Sequence, residues 1–361
     1  MNWRKWLKRI GVALGSLLIL AGGGGALLVW CLNYFPDPLM TVPVQCRGPA
    51  AKLKPGQRFK LLSWNIQYGA GRSYHFFYDG GPDVHASRGS VERTLKAISG
   101  VLRETAPDLL LLQEVDRDSA RTARIDQLAR LRDLDQWHCW ASTPYHRSRY
   151  VPVPLRRPLG RVDMHLATAA RFKVTWARRR ALPLLKEWVV RRAFNLKRAV
   201  LESAVELEGS KRPLILLNTH LSAFSYGDGT LERQVDTILE RLGELDRRGH
   251  PWILAGDFNM LPPGDRPERL GEFEAAYYAN KEGALARLTK RYRTAVSPEA
   301  YARDPARYFT YLRYGAKLPD RRIDYIFVSR AIQVHSARVV RQETPSSDHL
   351  PLLLEASVLP E

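Results

Sequence analysis

Six short apolar runs frame this 361-residue chain: KLLSWNI (60–66), DLLLLQEV (108–115), PLILLNTHL (213–221), WILAGDFN (252–259), RIDYIFVS (322–329) and HLPLLLEASV (349–358). Each has the length of a β-strand and is bounded by turn or polar residues. Their cores are apolar on both faces, so neither side of the sheets they form looks onto water. Two amphipathic helices are predicted between them. Ser90 is placed to cap one that carries Val91, Leu95, Ile98 and Leu102 on one face and stops before Pro107. The second follows Gly229, presents Leu231, Val235, Ile238 and Leu242, and ends near Gly249. Strands buried on both faces, with helices between them, predict an α/β fold: a four-layered α/β sandwich of two packed, mostly antiparallel sheets flanked by helices. At 45% hydrophobic and 26% charged residues, the chain falls outside the disordered class.

Polar residues sit at telling places on these runs. Asn65, Glu114, His220, Asp257 and Asn259 fall at or just past the C-terminal end of a run, whereas Asp324 and the Asp348-His349 pair fall at the start of one. In an antiparallel arrangement the ends of some strands and the starts of their neighbours share one edge. A single rim can therefore collect all eight side chains. Singly, each has an ordinary explanation: Asn65 as a turn cap, Glu114 as a surface ion pair, His220 as a hydrogen-bonded core residue.

Taken in order, SWNIQYG, LLLQEVD, NTHL, GDFN, RIDYIF and SDHLP resemble the successive motifs of the endonuclease/exonuclease/phosphatase superfamily, over residues 59 to about 358. The resemblance implies a phosphoester hydrolase. It implies that Glu114, with Asn65 and Asp348, holds Mg²⁺, Mn²⁺ being an acceptable substitute; all-oxygen ligation suits that hard ion. It also implies that Asp257 orients and deprotonates the attacking water while Asn259 donates to the phosphoryl oxygens. By the same resemblance His349, its tautomer fixed by Asp324, matches the histidine that contacts the scissile phosphate. His220 corresponds to a second histidine, a candidate general acid, and Arg198 to a phosphate-binding base. One departure stands out, since HLATAARF from His165 places Leu166 where many relatives carry an asparagine. That argues against apurinic-endonuclease specificity.

Ahead of the six runs lies a segment of another kind. Arg4, Lys5, Lys8 and Arg9 precede a stretch without charge from Ile10 to Pro36, enough for one helix across a bilayer. The positive-inside rule then gives residues 1–9 as a cytoplasmic basic tail, 10–35 as a transmembrane signal anchor, 36–55 as a linker and 56–361 as an extracytoplasmic catalytic domain. A cleaved signal peptide is the competing reading, because AGGGGA (21–26) offers small residues to a peptidase. Outside the cytoplasm Cys46 and Cys139 could pair, or could remain two buried thiols.

The formal charge of +19 is concentrated between Arg147 and Arg198, where 15 Arg or Lys residues meet two acids. Such a field attracts an anionic membrane surface or a polyanion; a merely solubilising face is the alternative. The insertion from Gly69 to Gly89 carries Phe76, Phe77 and Tyr78, suited to a lipid-contacting lid or to a local hydrophobic cluster.

The expected function is that of a single-pass membrane phosphodiesterase acting on a phospholipid headgroup or lipid-linked phosphate. The alternative is an extracytoplasmic nuclease acting on DNA or RNA. A third class, an inactive scaffold binder, would have replaced Glu114, Asp257, Asn259 or His349, and all four are present. No obligate protein partner is evident.

Overall fold

The computed structural model describes residues 3–223, 225, 227–278 and 282–360. Met1 and Asn2 of the expected tail, and Glu361 at the end of the expected catalytic domain, lie outside it. In chain order the strands are β1 (Leu39–Val42), β2 (Val44–Cys46), β3 (Arg58–Asn65), β4 (Leu109–Asp116), β5 (Cys139–Val151), β6 (Gly160–Ala170) and β7 (Val174–Ala181). They continue as β8 (Ala199–Val205), β9 (Leu214–His220), β10 (Trp252–Asp257), β11 (Arg293–Thr294), β12 (Asp324–Val328), β13 (Ile332–Val339) and β14 (Leu352–Val358). One sheet runs β13-β14-β3-β4-β6-β5-β2 and the other β1-β7-β8-β9-β10-β12-β11. Among the described strands, only β3/β4 and β9/β10 are parallel pairs. The helices are α1 (Trp3–Leu32), α2 (Arg88–Thr105), α3 (Gln127–Arg132), α4 (Val189–Phe194), α5 (Thr230–Arg247), α6 (Glu272–Tyr278), α7 (Glu282–Arg291) and α8 (Pro298–Arg303). A parallel pair needs a crossover. Here α2 and α5, the two amphipathic helices expected from the sequence, supply it.

Alternation along the strands explains the four layers. On β3, Leu61 packs between the sheets with Leu109, Leu216, Ile253 and Ile326, while its neighbour Leu62 joins Val91, Ile98 and Leu102 under α2. On β10, Ile253 and Ala255 face the other sheet, and Trp252 and Leu254 face Val235, Ile238 and Leu242 of α5. Each strand thus buries both faces, and the result is helix, sheet, sheet, helix.

Several local features differ from the expectation. The cap of α2 is Ser87, whose hydroxyl accepts from the Ser90 amide; Ser90 lies inside the first turn. The apolar N-terminal segment is one helix that begins at Trp3 and takes in most of the expected tail. Residues 36–55, expected to be a linker, contain β1 and β2, which pair with β7 of one sheet and β5 of the other. In-register Cys46 and Cys139 are joined as a disulfide. The basic run lies partly in strands and partly in the segments between them, and several of its charges are matched by an acid or buried. Arg147 binds Asp163, Arg180 binds Glu202, Lys173 binds Glu206, and Arg179 is buried against the Lys197 carbonyl.

Gly256 of GDFN shows how closely the site strands approach. Its φ is +149°, and a Cβ added there would lie 1.9 Å from the Thr219 carbonyl oxygen on β9. Backbone cannot yield as a side-chain tip can. Gly256→Ala is therefore expected to cost at least about 2 kcal/mol, a fall of roughly 5 °C or more in Tm read by thermal unfolding.

Candidate active site

The rim forms because two parallel pairs end where two antiparallel partners begin. β3 delivers Asn65, β4 delivers Glu114, β9 delivers His220 and β10 delivers Asp257, while Asp324 opens β12 directly opposite Asp257. His349 precedes β14, which runs antiparallel to β3. Glu114 lies in a bulge between Leu112 and Val115, with φ +56°, and Asn259 sits at φ +52°. Bulges and left-handed residues re-aim side chains at functional sites. Here they turn a carboxylate and an amide into the cleft.

All eight rim residues converge, and Arg198 joins them. Asn65 Nδ2 donates to Glu114 Oε1 at 3.2 Å and to Asp257 Oδ2 at 3.1 Å. His220 Nε2 lies 3.3 Å from Asp257 Oδ2, and His349 Nε2 lies 3.6 Å from that same oxygen. Asp324 Oδ2 accepts from His349 Nδ1 at 2.8 Å. The Asp257 carboxylate also accepts the Asn259 backbone N–H at 2.9 Å. Arg198 donates to the His220 carbonyl at 3.3 Å and lies 5.7 Å from the Tyr145 ring centre.

The two histidines are held in opposite states. Burial alone would lower the His349 pKa, but the carboxylates of Asp324 and Asp257 override it and hold the group well above the usual imidazole range. His220 is kept well below that range by burial, with the charges of Arg198 and His349 adding to the effect. Paired groups pushed apart in this way are suited to opposite ends of a proton transfer.

Among the carboxylates, burial raises Glu114. Asp348 is raised to about 6 by burial, the nearby Glu114 charge contributing, and Asp257 is raised chiefly by burial with Asp324 adding to it. Carboxylates crowded out of water and repelling one another are relieved by a cation. Glu114 and Asp348 offer carboxylate oxygens of the kind a hard divalent ion takes, whereas Asn65 turns its Nδ2 toward Glu114 and its Oδ1 accepts the Gln67 backbone N–H at 3.0 Å, so, contrary to expectation, its amide oxygen is not presented with them. Asp257, Asp324 and His349 also offer atoms within 4.8 Å of one another. His349 Nδ1 is already bonded to Asp324 Oδ2, however, and the neighbouring carboxylates favour its charged form, so that second group is better matched to acid-base work.

Four contributors escape sequence reasoning. Tyr145 Oη lies 3.1 Å from His220 Nδ1, and Gln67 Oε1 accepts the Asp348 amide at 3.3 Å. Ser347 Oγ donates to the Asn65 carbonyl at 2.8 Å, and Thr310 Oγ1 accepts the Asp324 amide at 3.4 Å. Leu166, at the departure noted above, is buried in the core beneath α2, and His165 bonds Asp163 at 2.9 Å instead of reaching the rim.

The aromatic insertion packs down as a cluster. Phe76 is buried against Tyr68 and Tyr78, with ring centres 5.1 and 5.5 Å apart. It is fastened across the cleft wall by Arg72, which donates to the Leu312 carbonyl at 2.9 Å, and by His75 stacked on Tyr314 at 4.4 Å. Tyr311 of that wall stands edge-on to His349.

A family model described as Endonuclease/Exonuclease/phosphatase family matches residues 62–349. Comparison with curated proteins gives no match. Among solved structures, an endonuclease/exonuclease/phosphatase from Beutenbergia cavernae is 23% identical, with a TM-score of 0.56 over 84% of this chain and 72% of that one. The human Nocturnin catalytic domain, solved with a bound sulfate anion, is 19% identical, with a TM-score of 0.52 over 88% and 97%. Truncated Caenorhabditis elegans TDP2 is 16% identical, with a TM-score of 0.51 over 84% and 99%. At such identities the structures are similar to this one in fold, and the family match adds the motifs that build the rim. The chain belongs to the endonuclease/exonuclease/phosphatase family and is a metal-dependent phosphoric ester hydrolase.

Proposed function

We propose that the protein is a membrane-anchored Mg²⁺-dependent phosphodiesterase that hydrolyses a phospholipid headgroup or lipid-linked phosphate outside the cytoplasm. In this reading Glu114 and Asp348 hold the ion, which when bound neutralises a non-bridging phosphate oxygen and stabilises the leaving oxyanion. Asp257 takes the proton of the attacking water, held by the same carboxylate that accepts from Asn65 and the Asn259 amide. Cationic His349, oriented by Asp324, and Arg198 carry the charge that develops on the phosphoryl oxygens. His220, held neutral beside Tyr145, has no proton to give the leaving oxyanion, contrary to the general-acid role expected from the sequence; in this reading cationic His349 supplies that proton and His220 orients Asp257, 3.3 Å away.

The observation that carries the lipid substrate is the way the N-terminal helix meets the body. α1 is long and apolar enough to cross a bilayer, and Asn33, the residue after it, already bridges Ser148 of β5. The catalytic body is thus held against the helix end without a loose tether, which raises the effective concentration of membrane substrates over free ones. The test is hydrolysis by the full chain in vesicles containing Mg²⁺. A bilayer phosphodiester lipid should be turned over with kcat/KM at least about tenfold above that of its soluble headgroup analogue. A preference for DNA or RNA would replace this reading with an extracytoplasmic nuclease.

A further inference from the structure

Around the end of α1 the body exposes apolar side chains that the fold leaves uncovered. Phe35 follows the helix; Tyr150, Val153 and Leu155 lie at the β5–β6 turn; Trp188 and Val189 open α4. Leu155 is 86% exposed and Trp188 73%. These segments meet at one place. α1 touches both α4 and β5, and Ser148 Oγ donates to the Leu32 carbonyl at 3.2 Å.

Charge is arranged around them selectively. Most bases of the 147–198 stretch are buried or matched by an acid, as described for Arg147, Lys173, Arg179 and Arg180. Exposed Arg149, Arg156, Arg157 and Arg192, like Arg178 and Lys186 of the same stretch, form no ion pair with a carboxylate among the described residues, and the first four flank the apolar side chains in sequence. Uncompensated arginines beside exposed Trp, Tyr and Leu have the composition of a surface that sinks its apolar tips below lipid headgroups while its guanidinium groups bind phosphate.

We propose that this face is a second membrane contact, seated in the interfacial layer of an anionic bilayer beside the point where α1 leaves it. The inference rests on α1 crossing that bilayer. Its consequence is the position of the catalytic rim. Ser148 lies against the helix end, and Tyr145, which contacts His220, is three strand residues away, about 10 Å. Lys197 binds the C-terminal carbonyls of α4 at 2.7 to 2.9 Å and is followed directly by Arg198 of the rim. Both docking elements therefore lead straight into the site, and the site is held at headgroup depth.

The test reads depth, not hydrolysis, so it fails or succeeds independently of the substrate assignment. In full-length protein carrying Cys31→Ser, single variants Leu155→Cys, Trp188→Cys and Lys211→Cys are labelled with an environment-sensitive fluorophore and reconstituted in phosphatidylcholine vesicles with and without phosphatidylglycerol. Lys211 is exposed in the β8–β9 turn, at the opposite end of the strand that delivers His220. Quenching by lipid-borne nitroxide at positions 155 and 188, at least about twofold above that at 211, is expected in anionic vesicles. Converting Arg149, Arg156, Arg157 and Arg192 to Glu should remove that difference. Positions 155 and 188 as open to aqueous iodide as 211 would overturn the proposal. So would shielding from iodide without nitroxide quenching, which would mean that a protein covers the face.

Discussion

Glu114→Gln should reduce kcat by about 10³-fold or more, because the isosteric amide removes the carboxylate charge proposed to hold the ion, a loss of several kcal/mol in transition-state stabilisation. In the unmodified enzyme, excess chelator should abolish turnover and Mg²⁺ or Mn²⁺ restore it. The variant also separates chemistry from folding. Burial raises the Glu114 pKa in the folded state, and a carboxyl raised in this way weakens the fold once pH exceeds its unfolded value. The metal-free Gln variant should therefore unfold no earlier than the metal-free parent at neutral pH. Turnover persisting in chelator, or in the variant, would displace the ion from this site.

Asp257→Asn is the second large effect, a fall of about 10² to 10⁴ in kcat, the range expected for a lost general base. KM should change little, since the interaction is made mainly in the transition state. The pH profile gives an independent check. Asp257 must be ionised to accept a proton, and burial raises its pKa, so parental activity should climb with pH along an acidic limb. That limb should vanish from the residual activity of the variant. An Asp257→Asn enzyme with a parental rate and profile would place the base elsewhere.

The parts of the fold that could be read in advance are those where apolar side chains fill both faces of a strand. β3, β4, β9, β10, β12 and β14 announce themselves for that reason, and the rim residues are conspicuous because they interrupt such runs. β7 is harder: VTWARRRA turns Arg179 inward, where its guanidinium bonds a carbonyl, so hydrophobic alternation is broken by a buried cation. β1 and β2 have only four and three residues and pair at sheet edges, where tertiary contacts, not local pattern, decide that they are strands. Tyr145 carries no motif. It reaches His220 only because β5 is a long edge-side strand whose far end passes the rim. The cap of α2 is set by geometry: Ser87 can reach the Ser90 amide, three residues on, and Ser90 is left within the helix it was expected to open.

If α1 is the membrane anchor proposed above, the Cys46–Cys139 bond changes what proteolytic shedding would require. The stretch between β2 and β3 exposes Arg47 and Lys52, natural targets for a trypsin-like protease. A cut there would sever the chain between the anchor and nearly all of the catalytic body. The anchor, β1 and β2 would nevertheless stay covalently attached through Cys46 to β5. On that proposal, release of the nicked body would need a second event, reduction of the disulfide, which an oxidising compartment withholds.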